Sequence, residues 1–229
     1  MAASVQEIGL EKNRVLVVDD FMDEPYLLIE QARAMAPFPS EDVTYYPGLR
    51  RLITPADADT ELHVNESLEA LAPLIGQVFG LKSFMPTEAS FSLVTRRPGD
   101  LNPAQRLPHF DKTDPDFLAV LHYLSPRPQG GTSFYRHRST GFERIAPDRE
   151  PIYAMARDQE TARSGDMPAR YFSGSDGHFE RIGRFEAKFN RLLIYRGSLL
   201  HSGDIPDDFT FSSDPAVGRL TCNIFLQGD

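Results

Sequence analysis

The sequence predicts an α+β domain that is mainly β, with its helices in the first third and a run of strands after them. Capped helix signals occupy residues 20–80, whereas from Phe84 onward short alternating apolar runs recur between Gly/Pro turns. Helices first and strands afterwards, instead of the two alternating, place the strands in a sandwich or barrel beside the helices. A third observation bounds the size. The 229 residues, 41% hydrophobic and 25% charged, suit a single domain with a sizeable core.

The elements follow in order. Val15-Leu16-Val17-Val18 is a β-branched run of the buried-strand kind. Asp20 to Pro25 (DFMDEP) carries helix-start chemistry: an Asp20 cap, acids for the first turn and Pro25 near the first helical position. That helix runs to about Met35, where Pro37 and Pro39 close it. Residues 38–63 lack periodicity and read as loop with short strands. Asn65 caps a second helix, about Glu66 to Phe79, which Gly80 ends. Phe91 to Thr95 alternates until Arg97-Pro98-Gly99-Asp100 breaks it. Phe117 to Leu124 is a clear strand, followed by a loop with Pro126, Pro128, Gly130 and Gly131, and then a strand from Thr132 to Arg136. Leu192 to Tyr195 is the next strand, turned at Gly197, and Arg219 to Leu226 is the last. Residues 137–188 are polar and read as an insertion of loops and minor strands. There is no internal repeat, so residues 1–229 form one domain: an N-terminal region over 14–83, a core over 84–136 and 189–229, and the insertion.

Composition excludes several classes. Cys222 is the only cysteine, which rules out an intramolecular disulfide and fits a reducing compartment. The first residues, MAASVQEIGLEKNR, lack the basic start and apolar run of a secretory signal, and no apolar stretch is long enough to span a membrane. The expected location is cytoplasmic. The net charge of −9 is concentrated in residues 1–66, which hold 13 acidic and 5 basic side chains. No general basic face remains for nucleic acid. The expected partner is a small-molecule, peptide or protein substrate, with no nucleic acid and no membrane; the oligomeric state is not readable.

Within LPHFDKT (107–113), His109 and Asp111 are two residues apart, so on an extended segment both project from one face. A facial triad needs two imidazoles and one carboxylate, with the remaining positions open. The other histidines lack such a setting. His63 lies in a polar loop, His122 points away from Tyr123's face, His137 sits between two arginines, and His178 is in the polar insertion. His201, just beyond a strand and a tight turn, is the best third ligand.

With these residues in place, PHFD, LAVLHYLSPRPQGGTSFY, NRLLIYRGSLLHSG and GRLTCNIFL, in that order, resemble the core of iron(II)- and 2-oxoglutarate-dependent dioxygenases, near the prolyl-4-hydroxylase-like branch. The opening VLVVDDFMDEPYLLIEQA is similar to that branch's first strand and helix, and the resemblance is strongest for an uncharacterised bacterial family assigned to these oxygenases by motif. It implies a double-stranded β-helix (jelly roll) core with N-terminal helices packed on it. It also implies Fe(II) on His109, Asp111 and His201, with 2-oxoglutarate and O2 used to hydroxylate an unactivated C–H bond. Arg219 matches the family's basic residue that pairs with the distal carboxylate of 2-oxoglutarate, a task suited to a guanidinium fork. Thr221, on the same strand face, would add a hydroxyl, and Tyr123 matches a tyrosine that bonds the same carboxylate. Ala119, Leu121 and Tyr123 share one face by the period of two; Phe110 and Cys222 should turn into packing.

The chain departs from the family in three places. Seventeen residues separate His201 from Arg219, the excess being DIPDDFTFSSDP; Arg97 stands where relatives often carry tyrosine; and residues 137–188 are long for their position. A fold does not guarantee turnover. Two rivals therefore stand beside the oxygenase: a jelly-roll binding or scaffolding module with a vestigial or structural metal site, and a cupin-like metalloenzyme that does not use 2-oxoglutarate.

Overall fold

The computed structural model describes residues 2–39, 46–127, 130–165 and 167–229; Pro128 lies outside the described residues. The strands are β1 (Ala2–Ile8), β2 (Asn13–Asp19), β3 (Gly48–Leu52), β4 (Phe84–Val94), β5 (Phe117–Tyr123), β6 (Gly131–His137), β7 (Phe179–Glu186), β8 (Leu192–Arg196), β9 (His201–Asp204) and β10 (Leu220–Gly228). The helices are α1 (Pro25–Ala34), α2 (Ala58–Phe79) and α3 (Glu150–Ser164). Seven strands form one sheet in the order β1-β2-β8-β5-β10-β4-β3, and three form a second in the order β7-β6-β9. All pairings are antiparallel.

Strand alternation divides the larger sheet's two faces between two cores. Leu118 and Val120 of β5 and Cys222 and Ile224 of β10 pack with Leu28 and Ile29 of α1 and Leu71 and Ile75 of α2. Their neighbours in sequence, Ala119 and Tyr123, turn to the opposite face and meet Phe134 of β6, Phe185 of β7 and Tyr195 of β8. Helices α1 and α2 thus cover one face and the smaller sheet the other, while α3 packs through Tyr153 against Tyr135 and Phe179 of the smaller sheet. Each fully buried Leu, Ile or Phe in these layers contributes about 1.5–3 kcal/mol of transfer free energy.

The structure corrects several boundaries. Helix α1 starts at Pro25, which holds its first position as expected, but the N-cap is Glu24, not Asp20, and makes no side-chain capping bond. Asp19 and Asp20 instead face cations: Asp19 pairs with Arg191 at 2.6 Å and Asp20 lies 4.0 Å from Lys188. Helix α2 starts two turns earlier than predicted, behind Asp57, so Asn65 is interior and His63 is helical, with Nδ1 at 2.7 Å from the Asp59 carbonyl. Gly80 does end the helix, at φ +79°. Residues 137–188 hold more than loops: α3 lies there, and β7 pairs with the length of β6 as a full member of the smaller sheet.

Strand β1, absent from the prediction, pairs with β2 along its whole length. Its turn is fastened by Glu143, a fully buried carboxylate. Glu143 accepts from the Leu10 and Glu11 amides (2.8 and 3.0 Å), from Asn13 Nδ2 (2.8 Å) and from Arg136 Nε and Nη2 (2.8 and 2.7 Å). Among the described residues, no helix is long and apolar enough to cross a membrane.

Candidate metal centre

His109 and His201 are joined through their backbones: His109 N–H donates to the His201 carbonyl at 2.9 Å, and His201 N–H donates back at 2.8 Å. Two residues on, Asp111 N–H donates to the Gly197 carbonyl at 2.7 Å, at the turn after β8. The segment is therefore extended against the β8–β9 connection, and His109 and Asp111 share a face as their spacing predicts. Phe110 points the other way, edge-on to Tyr153 of α3 at 6.1 Å.

One ligand atom from each of His109, Asp111 and His201 lies within 4.8 Å of the others. The two imidazole rings are 4.4 Å apart. The Asp111 oxygens are 4.0 Å from His109 Nε2 and 3.9 Å from His201 Nε2, too long for hydrogen bonds. The three side chains thus converge on a gap without bonding one another.

Their chemistry fits a divalent cation there. Among the described residues Asp111 Oδ2 is buried without a hydrogen-bond partner, which is costly unless something else meets it. His201 Nδ1–H donates to the Leu199 carbonyl at 2.8 Å, which turns Nε2 toward the gap. Burial, and then the neighbouring His201, hold the His109 imidazole well below its usual range, in the neutral form a metal needs. Burial pushes the Asp111 carboxyl up, opposed by the charges of His201 and Arg50. A cation in the gap would favour the carboxylate in the same sense.

The gap opens into a cavity of about 630 Å³ between the two sheets. Arg219, immediately before β10, and Thr221 of β10 both line it. Arg219 is 4% exposed; its Nη2 donates to the Gly131 carbonyl at 2.9 Å, Nε has no hydrogen-bond partner among the described residues, and the guanidinium lies 5.3 Å from the Tyr123 ring centre. The Tyr123 hydroxyl is bonded to Thr132 Oγ1 at 2.6 Å, so this tyrosine supports Arg219 from beneath with its hydroxyl already engaged. Thr221 is buried beside Tyr46, whose phenol is pushed up to about 12 by burial. Cys222 faces the helix side and is packing.

The remaining histidines lie away from the gap. His122 is buried with Nε2 at 3.0 Å from Asn190 Oδ1, and His137 and His178 converge on Glu160. Arg97 is exposed and outside the cavity wall. The long connection before Arg219 folds inward instead, burying Ile205 and Phe209 beside Tyr171 and Leu101.

Two features went unread in the sequence. Tyr195 of β8 sits with its ring 5.0 Å from that of His201, its phenol held well above the usual range by burial and by Asp111's charge. The period of two, applied to Leu193 and Tyr195, would have placed it on the cavity face. Arg50 and Glu88 also line the cavity, from strands β3 and β4.

Solved structures place this fold in a class. The chain is similar to the non-heme α-ketoglutarate-dependent epimerase SnoN from nogalamycin biosynthesis, with 16% identity and a TM-score of 0.60 over 95% of this chain and 80% of that one. It is similar to HygX from Streptomyces hygroscopicus, a structure with nickel and 2-oxoglutarate bound, with 12% identity and a TM-score of 0.52 over 95% and 84%. It is also similar to the viral collagen prolyl hydroxylase vCPH from Paramecium Bursaria Chlorella virus-1, a 2-oxoglutarate complex, with 8% identity and a TM-score of 0.50 over 94% and 96%. The fold is that of the 2-oxoglutarate–Fe(II) oxygenases. Within it, the chain belongs to a family of unknown function, DUF6445, matched over residues 1–226. No curated protein matches the sequence.

Proposed function

We propose that the chain is an Fe(II)- and 2-oxoglutarate-dependent oxygenase, that its two sheets form a double-stranded β-helix, and that it hydroxylates an unactivated C–H bond. The observation that carries this is the convergence of His109, Asp111 and His201 on a gap that leaves Asp111 Oδ2 unsatisfied, at the wall of a cavity with a buried arginine. When bound, Fe(II) with 2-oxoglutarate and O2 supplies the oxidising chemistry. The chain's residues do the rest. His109 and His201 offer imidazole nitrogens and Asp111 a carboxylate. Arg219, backed by Tyr123 and joined by Thr221, takes the far carboxylate of 2-oxoglutarate in a dry pocket where a charged bond is strong. The smaller sheet and the buried Tyr195 keep water from that end. The substrate is a small molecule or a peptide; the cavity wall lacks the basic, aromatic-interleaved groove of a nucleic-acid site.

The test is anaerobic titration of Fe(II) and then 2-oxoglutarate, followed by visible absorption. A weak charge-transfer band that disappears in His109→Ala and Asp111→Ala is expected. Retained binding in either variant refutes the triad. No band and no 2-oxoglutarate-dependent thermal shift favours the binding module, whereas turnover indifferent to Arg219→Ala favours an enzyme that does not use 2-oxoglutarate. Mass spectrometry of the product separates hydroxylation, which adds one oxygen atom, from inversion of a carbon centre.

A further inference from the structure

The wall built by β3, β4 and β10 carries a charged pair that neither the metal gap nor the Arg219 end uses. Arg50 of β3 donates through Nη2 to the Glu88 carboxylate and to Ser90 Oγ (3.1 Å), both on β4. Both charged residues line the same cavity as the triad. The Arg50 side chain is 14% exposed and that of Glu88 36%, so the pair is partly withdrawn from water with Glu88 on the open side. Such a pair adds little to stability, since apolar residues would hold the strands equally well. Its placement on a cavity wall therefore calls for a ligand. Beside the pair the wall is apolar: Phe225 of β10 is the cross-strand neighbour of Glu88 and stacks on Phe117 at 5.4 Å.

The geometry points to Arg50 and Glu88 as a clamp for a free α-amino acid, with the substrate carboxylate on Arg50, its ammonium on Glu88 and its side chain along Phe117 and Phe225. This rests on the oxygenase reading for what is then done to the amino acid, though the clamp itself needs no metal. An incoming zwitterion replaces each partner of the pair with a like charge, so no charge is left uncompensated. A simple anion would take Arg50 and strand Glu88 beside a cavity that already holds Asp111. The clamp thus attracts a zwitterion and rejects singly charged analogues.

The experiment is calorimetric titration of the protein saturated with Ni(II) and 2-oxoglutarate, using each proteinogenic L-amino acid as probe. Any binder is then compared with its carboxamide and its N-acetyl derivative. At least one amino acid should bind, and each derivative should bind about tenfold more weakly or worse, the weight of one charge-assisted bond. Arg50→Gln should bring the acid-to-carboxamide ratio to within about twofold, and Glu88→Gln should do the same for the N-acetyl ratio, each variant erasing one discrimination only. The clamp is overturned if no amino acid binds, if the derivatives bind as well as the parent, or if both variants weaken every probe alike, as a purely structural pair would. Prior titrations with Ni(II) and 2-oxoglutarate alone keep the two readings apart. If those fail, the oxygenase reading falls, and the amino-acid titration of the metal-free protein still decides the clamp.

Discussion

Replacing Arg219 by methionine should weaken 2-oxoglutarate binding while leaving the ligand-free protein no less stable, and the opposed signs make the test sharp. The guanidinium is 4% exposed, its Nη2 donates to the Gly131 carbonyl and it lies against the Tyr123 ring, and no carboxylate pairs with it among the described residues. Without ligand it is a buried charge with little compensation, which a side chain of similar volume replaces at no cost or with a gain. With 2-oxoglutarate bound, a bidentate carboxylate would receive two charge-assisted bonds. At ~1.5 kcal/mol each these give ~3 kcal/mol, or a rise in Kd of about 150-fold. Calorimetry on the Ni(II)-loaded protein measures the affinity, and thermal unfolding of the metal-free protein measures the stability, where a chain of this length moves about 2–4 °C per kcal/mol. A Kd change under about threefold would mean that Arg219 does not anchor the cosubstrate. A Tm lowered by several degrees would assign it to the fold instead.

Other outcomes follow from single contacts. A Cβ at Gly197 would lie 2.6 Å from Phe117 Cδ1 and 3.3 Å from Asp111 Cβ, so Gly197→Ala should displace Asp111 and lower metal affinity by roughly 10-fold, the scale of second-layer defects; equilibrium dialysis with Ni(II) checks it. Glu143→Ala leaves Arg136 with Glu180 alone and takes the acceptor from three further donors, and should cost about 3 kcal/mol in urea denaturation. Burial lowers His122 to about 4 from 6.5 in the unfolded chain. The unfolded state therefore binds the extra proton first, and stability is full above pH 6.5 and lost as pH falls toward 4. The loss is on the order of 3 kcal/mol, and a urea midpoint in His122→Gln that falls as steeply over this window as in the wild type would assign the slope to other groups.

Much of the architecture was legible because its strands bury one face or both. The β2, β5, β8 and β10 runs announce themselves through β-branched and alternating residues, and the metal triad through a strand-period pair plus one well-placed histidine. What escaped did so for physical reasons. Strand β1 exposes every residue but Ile8, so it has no apolar face to read, and its order comes from β2 and the distant Glu143. Helix α3 buries only Tyr153 fully among its described side chains, leaving a polar stretch indistinguishable from loop. In β7, Phe179 and Phe185 mark the core face but Gly183 and four arginines or glutamates blur it. The Arg50–Glu88 pair is 38 positions apart, and only the β3–β4 pairing brings it together.

The reciprocal backbone bonds between His109 and His201 have a consequence for how the site trades ions. The spacing of the two imidazoles is set by strand pairing, so it does not wait on a metal to define it. An ion should then enter and leave a ready-made cradle without the chain unfolding or refolding, and dialysis against a chelator should yield an intact protein that reloads fully. Such a cradle cannot reshape itself around each visitor. Discrimination among divalent ions must then come from how well each suits two nitrogens and one oxygen at a fixed separation.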